Sequence, residues 1–353
     1  IPQEGEEYRG YVWVGISAQK IGIHGAPGIS TGLTGWDPER YGTLKHPGDA
    51  FSYDIFTQVT RLLGKNRPTV SPDPLRGLKP KMVIAQGGSQ SSMRLASYIN
   101  VAQKRDHVID GFLLYGHWGL APGLPDVSLL EQFAPTGRGR AKASSRINDT
   151  SGTPILVISG ETEALLNYHV RQPDTNTFRF WEIAGAAHAA SEMSTNMNKM
   201  FVRDGLSSFM PQLTNPNVVV WDPVRKAGIR RLVEWVSTGK PPQSMPLIEF
   251  DAGGPNDTPQ IRRDRFGNAV GGIRMPELAV PTARHSGSNT TSPVASLLGE
   301  SVPFEPSVIK ELYPTKEAYV TAWNRAVDDL LKAGIVLPED AAPMKAKAQS
   351  TTP

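Results

Sequence analysis

The stretch Met82-Val-Ile-Ala-Gln-Gly-Gly-Ser-Gln-Ser-Ser92 decides the architecture. It opens as a short apolar, β-branched run, passes through two glycines, and continues as a helical pattern to about Ala102. A strand that turns this sharply into a helix needs small residues on either side of the turn. Gly87 and Ser91, two before and two after Ser89, meet that condition, although a serine stands where a second glycine is usual. The turn lifts the Ser89 hydroxyl above the sheet edge. It also puts the backbone N–H of Gln90 at a helix N-terminus, where it can donate to an oxyanion. A Gly-x-Ser-x-small match arises by chance, and a Ser-rich helix N-cap would use the same residues. The strand before it and the helix after it favour a chemical role.

Outward from this turn, the chain alternates strand and helix patterns. Tyr11-Val-Trp-Val-Gly-Ile-Ser17 reads as a buried strand, Gly22–Asp49 as a long loop, and Phe51–Leu63 as a helix. Gly111-Phe-Leu-Leu-Tyr115 is a further strand, ending at His117 and Trp118. A polar, Arg-rich segment then runs to Gly152 and is expected to form a cap or lid loop. Pro154–Ile158 and Thr177–Ile183 complete the strands, the last leading into Gly185-Ala-Ala-His188. Such alternation predicts an α/β fold with a doubly wound, mostly parallel sheet. Beyond residue 205 the pattern changes. A helix at Val224–Ser237, loops from Lys240 to Pro303, a helix at Lys316–Ala333 and a frayed tail after Pro338 are expected. The expected division is a core over 1–205 and a loop-rich, helical extension over 206–353 packed on it, within the same structural domain.

A serine hydroxyl is a weak nucleophile and needs a base, itself oriented by an acid. Where the serine stands on a strand–turn–helix elbow of this kind, the order along the chain is serine, acid, histidine. Strand Pro154–Ile158 is followed by Ser159-Gly-Glu-Thr-Glu163, so Glu161 and Glu163 both reach the correct edge. His188 follows the next strand, with small residues before it that let an imidazole reach Ser89. His117 and Trp118 end their strand on the same side and are candidates to line a substrate pocket, with plain packing as the alternative.

Composition narrows the classes. There are no cysteines, which excludes disulfides, thiolate metal sites and a cysteine nucleophile. The net charge of +3 is too small to argue for nucleic acid, and the short clusters Arg138–Lys142 and Arg262–Arg265 read as solvated loops. No apolar run is long enough for a transmembrane helix. No histidine pair has metal-ligand spacing, and the Gly-rich segments lack the phosphate-binding patterns, so neither a metal nor another cofactor is expected. Sequons at Asn148, Asn256 and Asn289 carry little weight. No signal peptide is visible, and the compartment is open, with a secreted or periplasmic location favoured over the cytoplasm.

Longer motifs add a resemblance. Arg9-Gly-Tyr-Val-Trp-Val-Gly-Ile-Ser-Ala-Gln19, Gly87-Gly-Ser-Gln-Ser91, Gly160-Glu-Thr-Glu163, Arg171-Gln-Pro-Asp174 and Phe178-Arg-Phe-Trp-Glu-Ile-Ala-Gly185 lead to His188. Asp264-Arg-Phe-Gly-Asn268, Gly271-Gly-Ile-Arg-Met-Pro276 and Val280-Pro-Thr-Ala-Arg284 follow. Together they make the chain resemble the alpha/beta hydrolase domain-containing proteins, a mostly bacterial family with a distinctive C-terminal extension. The resemblance implies an α/β-hydrolase fold, Ser89 as nucleophile, His188 as base and a glutamate of the 161–163 pair as acid. The usual spacing from strand to acid favours Glu163. It implies a hydrolase more firmly than any particular ester; hydrolysis of a small-molecule ester through an acyl-enzyme is the default expectation, because nothing in the chain suggests peptide subsites. An acyltransferase with the same triad and a non-catalytic binding protein are the alternatives. In such folds about three strands precede the one at Tyr11, and a loop among them supplies a second oxyanion donor. Only ten residues precede Tyr11 here. The chain is therefore expected to lack those strands and to expose a sheet edge that a second copy or a partner chain would cover.

Overall fold

Strands buried on both faces need apolar side chains at every position rather than at alternate ones, and two short runs of this chain, Phe112–Leu114 and Ile155–Ile158, are built that way. In the computed structural model, residues 10–25, 31–121, 146–203, 205, 213–252, 259–289 and 295–351 are described. They fall into two compact units, one of residues 1–85, 94–110 and 120–151, the other of 86–93, 111–119 and 152–353.

In the first unit, helix α1 (Ser52–Leu63) turns Tyr53, Phe56 and Thr57 toward Tyr98. The Thr57 hydroxyl bonds the Tyr98 hydroxyl at 2.9 Å and donates to Asp106 at 3.0 Å. Three short helices, Lys20–His24, Gly32–Trp36 and Pro38–Tyr41, occupy what the Gly/Pro content predicts as loop. Tyr11–Ser17, expected as a buried strand, joins no ladder among the described residues, and Tyr11, Val12, Trp13 and Val14 are exposed. A β-branched, aromatic run is a preference that is realised only against a neighbouring strand. Most of the expected cap segment, 122–145, lies outside the described residues, as do Arg138–Lys142 and Asn256.

Strand β1 (Ile84–Gly88) enters the second unit at Gln86 and leads into helix α2 (Gln90–Tyr98). Strands β2 (Gly111–Tyr115) and β3 (Ile155–Gly160) come next, followed by the short helix α3 (Glu161–Asn167) and strand β4 (Phe178–Ile183). The sheet order is β1-β2-β3-β4. The β2–β3 and β3–β4 pairs are parallel, with Tyr115 opposite Ile158 and Gly160 opposite Ile183. Phe112, Leu113, Leu114, Ile155, Leu156 and Ile158 are wholly buried. Helix α4 (Ser191–Arg203) follows β4, and helix α5 (Asp222–Thr238) packs on β2 and β3. Gly228 of α5 makes that approach possible, because a Cβ there would lie 2.6 Å from the Ile158 side chain.

The segment expected as loops, 240–303, contains two small antiparallel ladders. One pairs β5 (Phe250–Asp251) with β6 (Gln260–Ile261), the other β7 (Ala283–Ser286) with β8 (Glu300–Pro303). Ile273 bridges Ile183 at the end of β4. Helix α6 (Lys316–Lys332) buries Tyr319, Val320, Trp323, Val327 and Leu330. The tail expected to fray is instead helix α7 (Pro338–Ser350), which packs on α6 and buries Ala341 and Ala348. Proline at its first position and Glu339 and Asp340 in its first turn suit a helix start. The Trp323 indole donates to the Met344 carbonyl at 2.9 Å.

One buried charge ties β4 to the later chain. Glu182 has a fully buried side chain and accepts from the Arg171 guanidinium through both oxygens, and from the Ile248 N–H at 2.9 Å. Burial holds its carboxyl above the usual carboxylate range despite Arg171. Arg171→Ala leaves that carboxylate unpaired and is expected to cost roughly 3–5 kcal/mol at neutral pH. A raised folded pKa means that stability is present at low pH and is lost as pH rises. The deficit, read by urea unfolding, is therefore expected to shrink in mildly acid buffer; an equal deficit in both buffers would contradict this account.

Candidate active site

Ser89 has φ +54°, a left-handed conformation that costs a non-glycine residue about 1–3 kcal/mol. Four hydrogen bonds hold it there. Its N–H donates to the Tyr115 carbonyl at 3.0 Å. Its own carbonyl accepts from the N–H groups of Ser92 and Met93 and from the Ser92 hydroxyl at 2.6 Å. Gly88 is required by close approach, since a Cβ there would lie 2.1 Å from the Tyr115 ring. Gln90 is the first residue of α2.

Across the edge, His188 Nε2 lies 2.9 Å from Ser89 Oγ. His188 Nδ1–H donates to Glu163 Oε1. Glu163 is buried, and its Oε2 accepts from the Gly160 N–H at 2.8 Å. Both carboxylate oxygens are thus committed, which fixes the plane against which the imidazole rests. Gly116, with φ +56°, leaves room for the ring: a Cβ there would stand 3.0 Å from His188 Cε1. The Trp118 ring meets the imidazole edge-on at 5.5 Å, with its indole N–H 3.4 Å from Nδ1. Ser89 and His188 both remain partly exposed.

Glu161 goes elsewhere. Its Oε1 accepts from Arg263 Nη2 at 2.7 Å and from the Gly287 N–H at 3.0 Å, and its Oε2 accepts from the Gly185 N–H at 2.8 Å. Of the two glutamates, only Glu163 bonds the imidazole. His117 is buried, with its Nδ1 3.3 Å from the Ser92 hydroxyl and its carbonyl accepting from Asn167 at 2.7 Å. Burial pushes its imidazole down from 6.5 to about 4. Thr162 and Ser92, whose hydroxyls bond the main chain of His188 and Ser89, carry no signal in the sequence that separates them from other surface-compatible residues. Among the described residues no three His, Asp or Glu side chains are grouped to hold a metal ion, and no helix is long and apolar enough to cross a membrane.

A family model described as alpha/beta hydrolase domain matches residues 5–346, and the chain belongs to that family. No curated protein and no solved structure matches the chain.

Two outcomes are expected from this geometry. Gly88→Ala drives a methyl group into the Tyr115 ring and is expected to lower stability by about 1–3 kcal/mol in thermal or urea unfolding. His117 stays neutral in the fold while the unfolded chain takes up its proton, so it lowers stability as pH falls from about 6.5 to about 4. The full effect is about 3 kcal/mol. His285, buried and also pushed down to about 4, acts in the same direction. A folded His117→Gln variant is therefore expected to lose less stability than the parent over that window. An unchanged pH slope would show that His117 contributes nothing to it.

Proposed function

We propose that this member of the alpha/beta hydrolase family cleaves carboxylic esters through Ser89, His188 and Glu163. The observation that carries the reading is the unbroken chain of hydrogen bonds from Ser89 Oγ through His188 to Glu163, starting from a serine held at positive φ. The neutral imidazole takes the hydroxyl proton at Nε2 as Ser89 Oγ attacks the ester carbonyl. Glu163 keeps the other ring proton on Nδ1 and offsets the positive charge that develops. The Gln90 N–H, at the start of α2, donates to the oxyanion. Collapse of the tetrahedral intermediate expels the alcohol, protonated by His188, and leaves an acyl-Ser89. Water, deprotonated by His188, then releases the acid. The reading asks for no cofactor, and esters are favoured over amides because nothing in the chain suggests peptide subsites.

Hydrolysis of p-nitrophenyl esters of increasing acyl length tests this. Ser89→Ala and His188→Ala are each expected to lower kcat by about 10⁶. Glu163→Gln, which can hold the ring in the wrong tautomer, is expected to lower it by about 10⁴. An aryl fluorophosphonate should modify the parent at Ser89 and leave Ser89→Ala untouched. Turnover that survives in Ser89→Ala would sink the assignment of the nucleophile. A folded parent that neither turns over the esters nor reacts with the phosphonate would favour a binding role.

A further inference from the structure

The loop that carries His188 is bonded on nearly every side by residues far from it in the chain. The Ala184 N–H donates to the Ile273 carbonyl at 3.0 Å, and the Ala189 N–H to the Leu297 carbonyl at 2.9 Å. The Gly185 carbonyl accepts from Asn217 Nδ2 at 2.8 Å. The Gly185 N–H and the Gly287 N–H meet on the carboxylate of Glu161, which Arg263 neutralises. At His188 itself the anchor is Thr162. Its hydroxyl accepts from the His188 N–H at 2.8 Å and donates to the Gly287 carbonyl. Gly287 sits so close that a Cβ there would fall 2.5 Å from the Thr162 nitrogen and 2.8 Å from the Ala186 carbonyl oxygen.

We propose that Glu161 and Thr162 are positioning residues, through which Arg263 and Gly287 of the later chain set the main chain of His188 and so the reach of its imidazole to Ser89. The inference rests on the reading of His188 as general base. An imidazole has two side-chain torsions, so once the Cα and Cβ are placed, the ring has little freedom left between Glu163 and Ser89. Displacing that Cα by about 1 Å can cost about 10² in rate without touching the substrate. Glu161 suits the task because it is buried and all its hydrogen bonds run to the loop, to Gly287 or to Arg263. Thr162 suits it because one hydroxyl uses its donor on Gly287 and its acceptor on His188.

Thr162→Val keeps the shape and removes both bonds, whereas Thr162→Ser keeps both bonds. In the full chain, Thr162→Val is expected to lower kcat roughly 10- to 100-fold with KM unchanged, and Thr162→Ser to restore it to within a few fold. The low-field NMR resonance of the His188 Nδ1 proton, which needs no turnover, is expected to shift or broaden in Thr162→Val and to match the parent in Thr162→Ser. A folded Thr162→Val with parental kcat and an unmoved resonance would overturn the proposal. So would loss of activity in both variants alike, since that describes a structural role. If the parent itself has no esterase activity, the ester reading fails, and the resonance alone decides the positioning. Should Thr162→Val not fold, Arg263→Gln takes its place and is expected to give the same split between kcat and KM, rescued by Arg263→Lys. An unaltered kcat and resonance in Arg263→Gln would count against the proposal equally.

Discussion

Parallel pairing brings the carboxyl ends of neighbouring strands to one edge of a sheet. The geometry of the candidate site depends on that constraint. With Tyr115 opposite Ile158 and Gly160 opposite Ile183, the residues that leave β1, β2, β3 and β4 emerge together. Ser89, Gly116, Glu163 and His188 are those residues. Their distances follow from the register and from a few tight turns rather than from any local affinity of one side chain for another. A slip of one residue in β4 would turn each of its side chains to the opposite face and remove His188 from the edge.

The same side-chain types take opposite parts at this edge, and environment separates them. Glu161 and Glu163 are both buried. One is neutralised by Arg263 and bonded to two main-chain N–H groups, and the other faces an imidazole. His117 and His188 are likewise close in space to the serine turn. His117 is enclosed and held neutral by burial, meeting only a hydroxyl, whereas His188 lies between a carboxylate and the Ser89 hydroxyl. Burial of a polar group is tolerable when its bonds are met inside, and the two environments meet them differently, His188 being the one of the two bonded to both a carboxylate and the Ser89 hydroxyl.

Much of the sheet was legible in the sequence because buried parallel strands are written as unbroken apolar runs, as at Phe112–Leu114 and Ile155–Ile158. The serine turn was legible because close packing demands small residues at Gly87, Gly88 and Ser91. The choice between Glu161 and Glu163 rests on the family resemblance, because the residues themselves leave it open. The two lie in the first turn of α3 and point about 200° apart around its axis, so the phase of a helix that reads as a loop decides between them. Thr162, Arg263 and Gly287 were illegible for a different reason. Their meaning lies in contacts across more than a hundred positions, and nothing local marks an arginine that will meet a buried carboxylate. Tyr11–Ser17 and the segment after Pro338 show the converse. Among the described residues a strong strand preference found no ladder, and an Ala-rich tail with weak amphipathic character is a helix packed on α6.

The bonds from Asn217, Ile273 and Leu297 to the histidine loop also bear on how the protein comes into being. A chain that has left the ribosome only as far as residue 205 already contains Ser89, Glu163 and His188, yet none of the groups at positions 217, 273 and 297 that bond the histidine loop, or at 263 and 287 that bond Glu161 beside it. Synthesis proceeds from the amino end, and contacts spanning so many positions close late and slowly. Those bonds can close only after the later positions have been made, so the main chain around His188 gains its last hydrogen bonds late in the synthesis of the polypeptide.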